Sequence, residues 1–167
     1  MLILIRGAGD IATGIALRLH RAGMQVVMTD LPHPTAIRRT VCFSPAIALG
    51  AAEVEGVRAV CARDVPHART LLAAGAVPVL ADPDCLCRRE LRPDALVDAI
   101  LAKRNLGTAL TDAPVVIGVG PGFTAGTDCH AVVETMRGHT LGRVIYEGSA
   151  LPNTNVPGLS GGYTGER

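Results

Sequence analysis

The chain opens on an unbroken apolar run, Leu2-Ile3-Leu4-Ile5, which stops at Arg6 and gives way at once to Gly7-Ala8-Gly9-Asp10-Ile11-Ala12. A short apolar run bounded by glycines reads as a buried strand. The residues beyond it repeat at helical spacing, with Ile11, Ile15 and Leu19 beside Ala12 and Ala16 in one apolar stripe and Arg18 and Arg21 outside it. Gly23 ends that helix, residues 25–29 form a second strand, and Asp30 closes it. The pattern is therefore strand, glycine turn, helix and strand, the start of a parallel α/β unit.

Two prolines in Leu31-Pro32-His33-Pro34 interrupt regular structure. Residues 35–39 then predict a short helix, and residues 40–44 a strand. Polar and apolar positions alternate over 52–61 around Gly56, which suggests a hairpin or an edge strand outside the parallel core. Asp64 is placed to cap a helix that carries Ala68, Leu71 and Leu72 on its apolar side and ends at Gly75. Residues 77–81 form a strand, with Pro78 confined to its start or to a sheet edge. Residues 93–103 suit either a short helix or a buried strand; propensity favours the helix, and the fold requires a strand. A β-branched strand ending near Val119 runs into Gly120-Pro121-Gly122-Phe123-Thr124-Ala125-Gly126, and residues 131–136 and 142–147 form a β-hairpin. The expected class is α/β, a Rossmann-like, mostly parallel sheet flanked by helices, with a C-terminal β-hairpin. Residues 1–150 form one cofactor-binding domain, and the turn-rich residues 151–167 read as the start of a further C-terminal part.

Composition narrows this picture. Apolar residues make up 49% of the chain but aromatic ones only 2%, so the core must be aliphatic, as parallel strands covered on both faces require. A net charge of +1 gives no electrostatic reason to expect nucleic acid or an anionic membrane as partner. No apolar run approaches the roughly 18 residues of a membrane helix. Five cysteines without a secretory signal point to reduced thiols in the cytoplasm. Cys85 and Cys87 are too closely spaced, and lack the second pair, for an ordinary zinc site. Free thiols and no metal are expected.

The chemistry concentrates at the first glycine turn, where Gly7, Ala8, Gly9, Asp10, Ile11 and Ala12 fit the dinucleotide fingerprint G-x-G-x-x-G/A. Gly7 allows the turn, Gly9 lets a pyrophosphate approach the backbone, and Ala12 lets the helix pack close. Asp30, about twenty residues on, stands where a ribose hydroxyl is bound. Arg38 and Arg39 follow it and are candidates for a phosphate or carboxylate, or are simply solvated. Gly120, Pro121, Gly122, Phe123 and Thr124 form a second glycine turn, read either as an anion-binding nest or as a plain tight turn. Asp98, inside an apolar run, is either a satisfied buried carboxylate or a residue facing the site.

Residues 7–14, 36–41, 97–103 and 120–126 also resemble a known family, as do Glu134-Thr135-Met136-Arg137-Gly138-His139 and Pro152-Asn153-Thr154. The chain is similar to the selenium-dependent molybdenum hydroxylase system proteins of the YqeB type, themselves related to accessory proteins of xanthine dehydrogenase maturation. Asn155 stands where a glycine is expected, and family members run on beyond the equivalent of Arg167. The resemblance implies an accessory protein for a molybdenum hydroxylase client, binding NAD or a molybdopterin dinucleotide through the two glycine turns. It supplies no catalytic residue. Two other functions stay open: an NAD-dependent oxidoreductase, for which no proton-donor constellation is evident, and a cysteine-based selenium or sulfur carrier centred on Cys129, or a docking scaffold.

Overall fold

The computed structural model describes residues 1–152 and divides the chain into two compact units, Met1–Ile100 and Leu101–Arg167. The division falls inside the stretch expected as a single domain. The tail from residue 153 onward, including most of Pro152-Asn153-Thr154 and all of Asn155, lies outside the described residues.

In the first unit β1 (Leu2–Arg6), α1 (Asp10–Arg21) and β2 (Gln25–Asp30) follow the predicted order. After a long connection come α2 (Pro45–Leu49), β3 (Ala51–Val54), β4 (Val57–Ala62), α3 (Val65–Ala73), β5 (Val77–Ala81), α4 (Arg88–Leu91) and β6 (Ala95–Asp98). Across this unit the strands run in the order β6-β1-β2-β5-β4-β3. Every ladder here is parallel except the one joining β3 to β4. The result is the expected α/β sheet with helices between parallel strands. Residues 95–98 resolve the helix-or-strand ambiguity as a strand beside β1, because that ladder buries Leu96 and Val97 completely or nearly so.

Three local expectations need correction. Residues 35–44 contain neither the predicted helix nor the predicted strand; a single 3₁₀ turn over Arg39–Val41 leads into α2 instead. Cys42 and Phe43 are nonetheless fully buried, since the segment docks over the first glycine turn. The α1 stripe that meets the core is Ala12, Thr13, Ala16 and Leu17, while Ile11 is 44% exposed. Small side chains let this helix approach the sheet, and the larger Ile15 and Leu19 flank the contact. Residues 51–62 do form a hairpin, turned by Glu55 and Gly56, both with positive φ. Its second strand, however, also pairs in parallel with β5 and so belongs to the main sheet. The Asp64 cap is present, its carboxylate accepting from the His67 N–H at 2.7 Å. Pro78 occupies the second position of β5, near the strand start where the missing donor matters least.

Buried Thr13 ties the docked segment to the turn. Its hydroxyl donates to the Ala8 carbonyl at 3.2 Å and accepts from the Phe43 N–H at 2.9 Å. The Ser44 N–H donates to the same Ala8 carbonyl. Thr13→Val keeps the shape and leaves the Phe43 donor unsatisfied, so urea denaturation should register a loss of about 1–3 kcal/mol.

The second unit holds β7 (Val115–Val119), β8 (Thr124–Ala125), β9 (Ala131–Val133), β10 (Val144–Ile145) and β11 (Gly148–Ser149). β7 pairs in parallel with β9, and β9 pairs antiparallel with β10 as the C-terminal hairpin anticipated from sequence. β8 and β11 form a separate antiparallel pair.

Candidate functional site

Parallel strands bring the carboxyl ends of β6, β1, β2 and β5 to one edge, and the chain reverses its winding between β1 and β6. Open α/β sheets bind ligands in the crevice at such a reversal. The Gly7–Ala12 turn stands there. Gly7 has φ +105°, and a Cβ at this position would lie 3.0 Å from the Ala99 carbonyl at the end of β6. Its freedom serves the turn and a close approach of the unit's own backbone. Gly9 differs: a Cβ there would meet nothing within 4 Å. It is the N-cap of α1 and no side chain caps that end. The first-turn N–H groups of a helix have no partner within the helix, and they carry the positive end of its dipole. Open space above Gly9 thus borders an uncapped helix start.

Asp10 begins the helix and forms an ion pair with Arg38, an exposed side chain beside the turn. Arg39 is exposed at the start of the 3₁₀ turn. Asp30 sits at the end of β2. One of its oxygens accepts from the Leu31 N–H and the other from the Ser44 hydroxyl. A carboxylate has about four acceptor positions, so two are left for a ribose diol. Ile11, half-exposed in the first turn, offers the one apolar surface among the fingerprint residues.

A buried polar row underlies this edge. Register places Arg6 beside Thr29 on one side and beside Asp98 on the other. Arg6 Nη1 meets Asp98 Oδ2 at 3.3 Å, with both side chains almost wholly buried. Arg6 Nη2 donates to the Pro83 carbonyl at 3.0 Å, holding the loop after β5 against the ends of β1 and β6. Asp98 is therefore a paired buried carboxylate. The sequence reading passed over Arg6 and Thr29. A charged residue closing an otherwise apolar strand was the available signal for Arg6.

The same loop carries Cys85 and Cys87, both buried. The Cys87 N–H donates to Asp82 Oδ2 at 2.7 Å. The neighbouring Cys87 thiol, with Thr29 and the Arg6 charge, holds the Cys85 thiol below its ordinary range against burial and the Asp82 charge. Cys87 is pushed up by the adjacent Cys85, by burial and by Asp82. Among the described residues no group of three or more His, Cys, Asp or Glu side chains could hold a metal ion.

The second glycine turn is closed by its own unit. A Cβ on Gly122 would lie 2.6 Å from the Arg104 backbone, and one on Gly120 2.9 Å from Thr135 Oγ1. The Gly120 N–H donates to the Val133 carbonyl. The Thr124 N–H donates to Asp128 Oδ2 at 2.8 Å, and its hydroxyl bonds the Ser149 hydroxyl at 3.0 Å. Phe123 is buried against Gly118, and Pro121 is only partly covered. Cys129 is fully buried, and its neighbour His130 accepts from the Val116 N–H at 3.0 Å through Nδ1.

These features define an α/β protein of Rossmann-like class with an open glycine turn at the carboxyl edge of its first sheet. Over 166 residues the chain is 55% identical to the uncharacterized protein YqeB of Escherichia coli (strain K12), an alignment covering 99% of this chain. The likeness supports a YqeB-type family, and the chain spans 31% of that relative's length. No family model and no solved structure matches. Among the described residues no helix is long and apolar enough to cross a membrane.

Proposed function

We propose that the first unit binds the diphosphate of a dinucleotide, either NAD or a molybdopterin dinucleotide, as part of an accessory protein that matures a selenium-dependent molybdenum hydroxylase. The observation carrying the binding role is the empty space over Gly9 at the uncapped start of α1. The pyrophosphate accepts from the amides of Asp10, Ile11 and Ala12, and Asp30 takes the ribose hydroxyls. Arg38, released from Asp10, supplies a paired donor to a phosphate oxygen. The maturation role and the hydroxylase client rest on the family resemblance of residues 7–14, 97–103 and 120–126. A second reading, an NAD-dependent oxidoreductase in the cytoplasm, draws on Asp30 at the end of β2. Both ligands contain a diphosphate and a ribose diol, so turnover of NADH with carbonyl substrates is what separates the two.

Calorimetry with NAD(H), NADP(H), CTP and a molybdopterin dinucleotide tests the binding role. Gly9→Asp is the informative variant. Aspartate is a favoured N-cap and nothing obstructs its Cβ, so stability should hold or rise by a few tenths of a kcal/mol. The added carboxylate occupies the anion position, and affinity should fall at least tenfold, or about 1.4 kcal/mol. Absence of binding by every ligand at about millimolar concentration, weaker than about −4 kcal/mol, removes the reading.

A further inference from the structure

Ser44 lies outside the glycine fingerprint, yet it is bonded to two parts of the candidate site at once. Its N–H donates to the Ala8 carbonyl of the turn at 2.9 Å. Its hydroxyl donates at 2.5 Å to Asp30 Oδ2, at the end of β2. Ser44 is 1% exposed, whereas Asp30 is only half-buried. A buried hydroxyl thus holds a carboxylate that solvent can reach. The hydroxyl has no part in α2: Ser44 precedes that helix, but its side chain does not cap it.

The torsion that turns a carboxylate is broad and has no strongly preferred setting. The Leu31 N–H, from the next residue in the chain, fixes Oδ1 alone. Ser44 fixes Oδ2, and the two bonds together set the plane of the group. Each oxygen keeps one acceptor position, aimed before a ligand arrives. Acceptors set in advance reduce the ordering that binding must impose.

We propose that Ser44 is a positioning residue that makes this site selective for ribonucleotides over 2′-deoxyribonucleotides. It acts through Asp30: with the carboxylate plane fixed, the 2′-hydroxyl of a ribose donates to one open position and the 3′-hydroxyl to the other. A 2′-deoxyribose lacks the first of these donors. The bond to Ala8 supplies the rest of the device, because it fixes the segment carrying Ser44 to the turn that takes the diphosphate. The inference rests on the diphosphate-binding reading and names the sugar that the same site accepts.

Calorimetry on the full chain with ADP, CDP, dADP and dCDP tests it. The native chain should bind ADP or CDP about tenfold or more tighter than the deoxy counterpart, the worth of one hydrogen bond to a charged group. In Ser44→Ala that preference should fall below about threefold, through weaker binding of the ribonucleotide and not tighter binding of the deoxynucleotide. Thr13→Val is the control. It loosens the same segment at Phe43 without touching Asp30, and should keep a preference of about tenfold. Ser44 has φ −49° and ψ −39°, a helical conformation that alanine favours, so Ser44→Ala should fold. Should circular dichroism show otherwise, Ser44→Gly, which also keeps the N–H, takes its place with the same expected loss. Failure of the native chain to bind any of the four nucleotides at about millimolar concentration removes the diphosphate reading and this inference with it. Binding without a ribose preference, a preference that survives loss of the Ser44 hydroxyl, or one lost equally in Thr13→Val overturns the inference alone.

Discussion

Asp98→Ala is expected to lower the unfolding free energy of the first unit by about 3–5 kcal/mol, the usual consequence of removing one member of a buried ion pair. Arg6 and Asp98 are almost completely buried, and their contact joins the ends of β1 and β6. Removing the carboxylate leaves a guanidinium out of water, which costs more than the pair contributed while intact. The same argument predicts the rescue. Arg6→Met combined with Asp98→Leu eliminates both charges, replaces them with apolar volume, and should recover most of the loss. Equilibrium urea denaturation of Arg6→Met, Asp98→Leu and the double variant forms a cycle with a coupling energy of opposite sign to the single losses. A double variant no more stable than Asp98→Ala would show that the row acts through its hydrogen bonds, including that from Arg6 to the Pro83 carbonyl.

The second large effect is expected at Gly122. Its φ of +110° already excludes most side chains, and an added Cβ would sit 2.6 Å from the Cα and N of Arg104. Neither contact can be relieved by rotating a side chain, since both are backbone. Gly122→Ala must therefore move the loop or the 104 segment, at about 3 kcal/mol or more when strain and displaced packing combine. Gly126→Ala is the control. That glycine also has positive φ, 87°, but its Cβ would meet nothing within 4 Å, so about 1 kcal/mol is expected from conformation alone. Thermal unfolding followed by circular dichroism should rank the two clearly. Equal effects would mean that φ, and not the Arg104 contact, sets the requirement for glycine.

These two positions show what the residue pattern revealed and what it concealed. Gly7, Gly9 and Ala12 were legible because their roles are local: a turn, an open approach and a close helix all lie within six residues. Asp64 and the Glu55-Gly56 turn were legible for the same reason. The buried face of α1 was legible in part: Ala12 and Ala16 lie inside as the stripe placed them, while Ile11 turns outward and Thr13 and Leu17 complete the contact. Residues 40–44 were misassigned because Val41 and Phe43 suit a strand, and nothing local shows that the segment must lie across Ala8 and Thr13. Asp98 was legible as a candidate buried carboxylate, but its pairing with Arg6 beside Thr29 was not, since register between distant strands creates that row. The second glycine turn was visible as a turn, but the contacts that fill it, from Arg104 and Thr135, come from residues well away in sequence.

The pairing of Arg6 with Asp98 spans 92 residues, and the Leu2 N–H bonds the Asp94 carboxylate across the same separation. Strand β1 is thus flanked on one side by the last strand of its unit, which is synthesised 92 residues later. At roughly 5–20 residues per second, β1 waits roughly 5–20 seconds for that neighbour. During this interval Leu2-Ile3-Leu4-Ile5 is an apolar nascent segment with one unpaired flank, the kind of surface on which aggregation starts.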